Sequence, residues 1–228
     1  MTDKWHRRAG CGAGCVKIKV LMAIVTQVKQ NAKNKNKVSV YADGEFLCSV
    51  TAESAVKLGV KAGAEIDGAR LGLLLEEHDR ETAFSKAVEC VCRSMKSRSQ
   101  VEKYLRDKGF SDEIIAQTVS KMMEYRYIDD AEYVRAYVSA YGGKKGARRI
   151  KYELSQKGIG RELIAAVDDM LGGQEETAAE LARKFMKNRA RGRDGAKKLF
   201  AHLAAKGFEY SVCADCASRY LDEEDFEV

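Results

Sequence analysis

The sequence predicts a mainly α-helical protein, an array of helical repeats joined to a small N-terminal α/β module. Three observations predict it. A lysine–glycine pair recurs in Leu105-Arg106-Asp107-Lys108-Gly109-Phe110, Leu154-Ser155-Gln156-Lys157-Gly158-Ile159 and Leu203-Ala204-Ala205-Lys206-Gly207-Phe208, with the glycines 49 positions apart. A period of this size marks stacked helical units, each unable to bury its apolar face alone. Proline is absent from all 228 residues, which suits uninterrupted helices. Strand-like alternation is confined to residues 22–50.

Residues 1–21 differ in character from the rest and read as a flexible tail or as sequence ahead of a true start at Met22. In the module, residues 22–78, Ala23, Ile24, Val25 and Val28 form one strand pattern, Val38 to Tyr41 a second and Phe46 to Val50 a third. Asp43-Gly44 is a tight-turn signal between the last two, making a β-meander. Lys29 to Lys37 alternates lysine with asparagine and glutamine, as a solvated loop or a basic finger for phosphates. Thr51 caps a short helix ending at Gly59, and Ala69 to Leu75 supplies another.

The body divides at about 79–126, 127–173 and 174–224, ahead of an acidic tail. Its apolar stripes run Val101, Tyr104, Leu105; Ile114, Ile115, Val119, Met122; and Tyr133, Tyr137, Val138, Tyr141. They continue through Leu163, Ile164, Val167, Leu171; Leu181, Phe185, Leu199, Leu203; and Val212, Cys213, Cys216, Tyr220. Ser99 with Glu102 and Asp129 with Glu132 fit capping boxes. Each Lys-Gly pair reads as a helix C-terminus, with glycine in the left-handed region and lysine against the negative end of the dipole. The pairs therefore need no function of their own; the information lies in their recurrence.

Hydrophobic residues at 45% and charged residues at 32% indicate a soluble folded chain. No apolar run is long enough to span a membrane, and Lys17 and Lys19 interrupt the stretch from Val16 to Val25 that could form a signal core. With an odd number of cysteines, seven, the simplest expectation is a cytoplasmic chain with reduced thiols. Cys11, Cys15, Cys213 and Cys216 could in principle ligate one zinc. Cys213 and Cys216, however, share repeat positions with Ile115, Thr118, Ile164 and Val167 and read as core, so no metal or other cofactor is expected.

Nothing points to catalysis. Gly142-Gly143-Lys144-Lys145-Gly146 lacks the spacing and hydroxyl of a phosphate loop, and no Gly-x-Ser-x-Gly elbow occurs. His6, His78 and His202 are scattered, and Asp129-Asp130 stands at a helix start as cap and first-turn charge. The charge map is more informative. Lys144, Lys145, Arg148, Arg149, Lys151, Lys157 and Arg161 are opposed within their stretch by Glu153 alone. Arg183 to Lys206, with Arg189, Arg191, Arg193, Lys197 and Lys198, is opposed by Asp194 alone. Asp222, Glu223, Glu224, Asp225 and Glu227 end the chain without a compensating base. Two dense basic stretches at corresponding places in successive repeats suggest an electropositive surface for nucleic acid or an acidic protein.

Several segments together resemble the RecX family, regulators of the RecA recombinase. They are Ser97-Arg98-Ser99, Leu105-x2-Lys108-Gly109-Phe110, Tyr127-Ile128-Asp129-Asp130-Ala131, and Gly146-Ala147-Arg148-Arg149-Ile150-Lys151-Tyr152-Glu153-Leu154 running into Lys157-Gly158-Ile159. The match covers roughly 80–221, and the module at 22–78 looks like the extra N-terminal segment of some members. Many members carry Arg near 141 and Gly-Pro at 146–147, where this chain has Tyr141 and Gly146-Ala147. The resemblance implies tandem three-helix repeats in an elongated, curved monomer. It implies a regulator, not an enzyme, lying in the groove of the RecA–single-stranded-DNA filament and lowering recombinase and ATPase activity in repair, recombination and the SOS response. On that reading Lys144, Lys145, Arg148, Arg149, Lys151, Arg161, Arg189, Arg191, Arg193, Lys197 and Lys198 meet the filament or its DNA. The alternative is a free-standing helical DNA-binding protein acting without RecA, although no segment stands out as a base-reading helix.

Overall fold

The computed structural model describes residues 22–32 and 34–221. The residue 1–21 segment, with His6, Cys11 and Cys15, and the acidic residues 222–228 lie outside the described residues. The fold is mainly helical, and the chain divides into two compact units. The first runs to Ser94 and includes Val101–Tyr127; the second comprises Met95–Gln100 and everything from Ile128.

In the first unit, β1 (Met22–Gln30), β2 (Lys37–Ala42) and β3 (Glu45–Thr51) form the expected antiparallel meander. Asp43 and Gly44 turn between β2 and β3 with φ of 49° and 85°, the paired positive φ of a hairpin turn whose twist suits its strands. A fourth strand, β4 (Glu65–Asp67), pairs with the far side of β1 and gives the order β3-β2-β1-β4. Sequence reading missed it because three residues with only Ile66 buried show no periodicity. Thr51 caps α1 (Ala52–Lys57), accepting from the Ser54 amide at 3.1 Å.

The expected short helix at 69–75 is instead the start of α2 (Gly68–Arg93), 26 residues long. Nothing after Leu75 breaks it: no glycine occurs between Gly72 and Gly109. One helix therefore serves two cores. Leu71 and Leu74 pack with Val25, Val40, Val50 and Ile66 under the sheet, whereas Ala83 and Ala87 are buried further along, where α2 meets α4. The lysine-rich connection is narrower than expected, since strands claim Lys29 and Lys37; Lys37 pairs with Glu81 of α2 at 3.0 Å. Helices α3 (Arg98–Asp107) and α4 (Asp112–Glu124) bury Val101, Leu105, Ile114, Ile115, Val119 and Met122, the stripes read from the sequence.

The second unit holds α5 (Asp130–Tyr141), α6 (Ala147–Gln156), α7 (Arg161–Ala165) and α8 (Val167–Leu171), around Tyr133, Val134, Val138, Ile150, Leu154, Ile159 and Val167. The stripe from Leu163 to Leu171 reads as one helix; it is broken at Ala166, and both halves pack on α5 and α6. Helices α9 (Glu175–Met186), α10 (Arg193–Lys206) and α11 (Tyr210–Ser218) form a further three-helix group around Ala182, Leu199, Leu203, Phe208, Cys213 and Cys216. Cys213 and Cys216 are thus core residues, and burial pushes both thiols above their ordinary range.

The recurrent Leu-x2-Lys-Gly motif is a helix-ending device. Gly109, Gly158 and Gly207 have φ of 85°, 74° and 87°. The next residue donates back to the leucine carbonyl in each case: Phe110 to Leu105 at 3.3 Å, Ile159 to Leu154 at 3.2 Å, Phe208 to Leu203 at 3.3 Å. This is the Schellman arrangement, and the apolar residue after each glycine is buried, as its hydrophobic contact requires. One capping expectation is corrected. The box at the start of α3 joins Ser97 and Gln100, not Ser99 and Glu102: Gln100 N donates to Ser97 Oγ at 3.2 Å, and Ser97 N to Gln100 Oε1 at 3.0 Å. The Asp129 cap forms, accepting from Glu132 N at 3.0 Å.

Candidate partner-binding interface

The basic residues are positioned by a joint between helix ends. The amide of Gly146, N-cap of α6, donates to the carbonyl of Lys206, at the end of α10, at 2.9 Å; Arg148 N donates to the Gly207 carbonyl at 3.2 Å. Ala147 N donates to Gln174 Oε1 at 2.6 Å, a bond that a proline there could not make. The same joint occurs 49 residues earlier within this unit. Ser97 Oγ donates to the Lys157 carbonyl at 2.6 Å, and Arg98 N to Asp130 Oδ1 at 2.8 Å. The second and third Lys-Gly ends are thus seated on the N-termini of α3 and α6, where donors at a helix start meet orphan carbonyls at a helix end.

Arg148 and Arg149 occupy the first turn of α6, which holds no acid. A cation at that positive helix end costs about 0.3–1 kcal/mol, offset here by the carbonyl end of α10. Arg149 is held further: its Nε donates to Glu153 Oε1 at 2.8 Å, and Lys145 reaches Glu153 Oε2 at 2.6 Å. The Tyr137 hydroxyl donates to the same carboxylate at 2.6 Å. Burial alone would raise the Glu153 carboxyl, but the bonds from Lys145, Tyr137 and Arg149 outweigh it and hold it at about 2. Lys145 also lies 4.2 Å from the centre of the Tyr141 ring.

The other basic residues divide similarly. Lys151 pairs with Asp168, and Lys198 with Asp194 at 2.6 Å. Arg189 donates to the Phe185 carbonyl and lies over the Phe185 ring at 3.9 Å. Arg191 donates to the Arg219 carbonyl at 2.6 Å. Arg193 opens α10 and Arg161 opens α7. Lys144, Arg148, Arg161 and Lys197 are exposed and form no ion pair with another described residue. Arg148 and Lys197 are repeat equivalents, each in the first turns of its helix.

His202 and Lys206 were not among the candidate contacts read from the sequence. His202 stacks on Phe185 with ring centres 4.3 Å apart, and burial together with Lys206 and Arg189 holds its imidazole below the ordinary value. Lys206, whose carbonyl the Gly146 amide meets, thus adds a charge at the α6–α10 joint, whereas the lowered imidazole of His202 adds none at neutral pH. The available signal was that His202 stands 49 positions after Glu153, placing an ionisable side chain at the same point of both repeats. Among the described residues no group of three or more His, Cys, Asp or Glu could hold a metal ion, and no helix is long and apolar enough to cross a membrane.

The site thus belongs to a protein built as a strand-bearing module followed by tandem three-helix groups, with basic residues at the helix joints. The chain matches the regulatory protein RecX N-terminal domain over residues 23–67, the first RecX three-helix domain over 83–122 and the second over 129–167. These matches follow one another in order, and the chain belongs to the RecX family. It is 26% identical over 215 residues to a regulatory protein RecX of Clostridium botulinum (strain Alaska E43 / Type E3), covering 90% of this chain and 100% of that one. A Bacillus licheniformis relative of the same description is 29% identical, over 90% of this chain and 79% of its own. A crystal structure of regulatory protein RecX superposes with a TM-score of 0.68 at 24% identity, covering 83% of this chain and 96% of that one, a likeness of fold. RecX from Lactobacillus salivarius superposes at 0.55 with 25% identity, over 62% of this chain and 96% of its own.

Proposed function

We propose that this protein binds the RecA–single-stranded-DNA filament along its groove and lowers recombinase and ATPase activity. The observation that carries the reading is the repeat-equivalent pair Arg148 and Lys197, exposed and without an ion pair among the described residues. The same charge at the same point of successive three-helix groups suits a polymer whose anionic groups also repeat. Lys144 and Arg161 extend the surface, while Lys145, Arg149 and Lys151 serve mainly to hold it, through Glu153 and Asp168. The DNA component of the attraction is salt-dependent, each lost phosphate contact lowering the logarithmic salt slope by about 0.7 on a single strand.

The test is RecA ATPase on single-stranded DNA with the double variant Arg148→Glu/Lys197→Glu. The inhibitory concentration is expected to rise about tenfold or more, equivalent to about 1.4 kcal/mol, with an unchanged unfolding midpoint. Inhibition at the wild-type concentration would remove the assignment. Tight, base-selective duplex binding without RecA would favour the free-standing DNA-binding alternative.

A further inference from the structure

Two tyrosines on α5 and α6 stand outside the core. Tyr152 is 57% exposed and Tyr141 is 37% exposed. Tyr141 rests on Tyr137, with ring centres 4.5 Å apart, at the solvent end of the α5 stripe. The residues 49 positions before and after Tyr152 are Lys103 and Ala201, and those around Tyr141 are Cys92 and Ala190; all four are exposed. The repeat therefore asks for no apolar side chain at either position, and a ring placed there gains little from burial.

A continuous run of contacts joins the two rings. Lys145 Nζ lies 4.2 Å from the centre of the Tyr141 ring and donates to Glu153 Oε2 at 2.6 Å. Arg149 Nε donates to Glu153 Oε1 at 2.8 Å, and Arg149 Cζ lies 5.9 Å from the centre of the Tyr152 ring. The one acid of the cluster is thus engaged from within, with the Tyr137 hydroxyl as its third donor. Lys144 and Arg148, beside these residues in the chain, are exposed and form no ion pair with another described residue. Arg148 precedes Tyr152 by four positions on α6, so a free cation and an exposed ring share one helix face.

Exposed rings interleaved with free cations complement two groups at once, a phosphate backbone and the flat faces of bases. Bases inside a duplex cover their faces against one another, whereas those of a single strand can be splayed out onto a ring. An acidic protein surface would engage the cations alone and leave both rings in water.

We propose that Tyr152 and Tyr141 stack unpaired bases of single-stranded DNA whose phosphates meet Arg148 and Lys144, so that this surface selects single strands over duplex. Lys145 and Arg149, tied to Glu153, hold the rings in place. The proposal rests on the filament reading given above and names the part of the filament that this surface touches, the bases of its DNA.

Fluorescence anisotropy of the full chain with three labelled probes of equal length tests it: oligothymidylate, the same backbone carrying abasic sites, and a duplex. The wild-type protein is expected to bind oligothymidylate about tenfold more tightly than the abasic strand. Tyr152→Ala should lose that factor on oligothymidylate and nothing on the abasic strand, while Tyr152→Phe, which keeps the ring, should bind as wild type. Tyr141→Leu, which keeps an apolar contact with Tyr137, should behave as Tyr152→Ala; normal binding by it removes Tyr141 from the platform. Equal wild-type affinity for the two single strands, or an equal loss on both in Tyr152→Ala, overturns the stacking. Duplex binding as tight as that of oligothymidylate overturns the selectivity. RecA ATPase separates the proposal from the reading beneath it. Inhibition by wild-type protein that shows no preference for bases over abasic backbone overturns the stacking and keeps the filament reading. Base-dependent binding with no inhibition of RecA overturns the filament reading and keeps the stacking.

Discussion

Replacing Gly146 by alanine should force the α6–α10 joint apart. A Cβ on Gly146 would lie 2.3 Å from the Gly207 carbonyl carbon and oxygen and from Phe208 N. All three are backbone atoms and cannot rotate out of the way, so relief requires the helix ends to separate by about 1 Å. That displacement takes the Gly146–Lys206 bond of 2.9 Å and the Arg148–Gly207 bond of 3.2 Å beyond useful length. Two net hydrogen bonds at about 0.5–1.5 kcal/mol each, plus the strain or orphaned groups left behind, give a loss of about 2–4 kcal/mol. The assay is urea denaturation followed by circular dichroism, with Gly143→Ala as control, because a Cβ there meets nothing within 4 Å. The expected result is a lower midpoint and a shallower transition as α9–α11 uncouple from α5–α8. Coincident curves for the two variants would refute the idea that the Lys-Gly ends clamp one helical group to the next.

Glu153→Gln should cost about 1–2 kcal/mol, a discounted figure for a partly solvated site, and should leave Lys145 and Arg149 without their shared carboxylate. The Glu153 carboxyl is held at about 2 against an ordinary 4.5, so its contribution is fully present above pH 4.5 and lost as pH falls toward 2. The wild-type protein should therefore lose more stability than Glu153→Gln between pH 5 and 3, measured by thermal unfolding across that window. Ser97→Ala removes both the cap on Gln100 N and the bond to the Lys157 carbonyl, and should lower stability by about 1–3 kcal/mol. Ser99→Ala, which lacks those two bonds, should cost less in the same denaturation experiment.

The helical stripes and the caps were legible because helix-forming and helix-ending chemistry is local. Leu154, Lys157, Gly158 and Ile159 lie within six consecutive positions, so their spacing alone announces the Schellman end. What stayed hidden was equally specific. The strand Glu65–Asp67 was too short to show alternation, and α2 ran past the expected module boundary because no residue there punctuates it. At the candidate interface, the positions of all eleven basic residues were readable but their engagement was not. Lys151 finds Asp168 17 positions away, and Lys145 and Arg149 converge on Glu153 only because Gly146 turns the chain into α6 between them.

By itself the sequence determined the repeat, its period, the glycines at the helix ends and the sign of the charge in each segment. These depend on backbone preference and residue type, which act over a few positions. The tertiary structure decided what each helix end meets. The partners Ser97 and Lys157 are 60 residues apart, and so are Gly146 and Lys206. Only packing brings such distant donors and carbonyls within 3 Å, and that packing separates basic residues that hold the scaffold from Lys144, Arg148, Arg161 and Lys197, which face solvent.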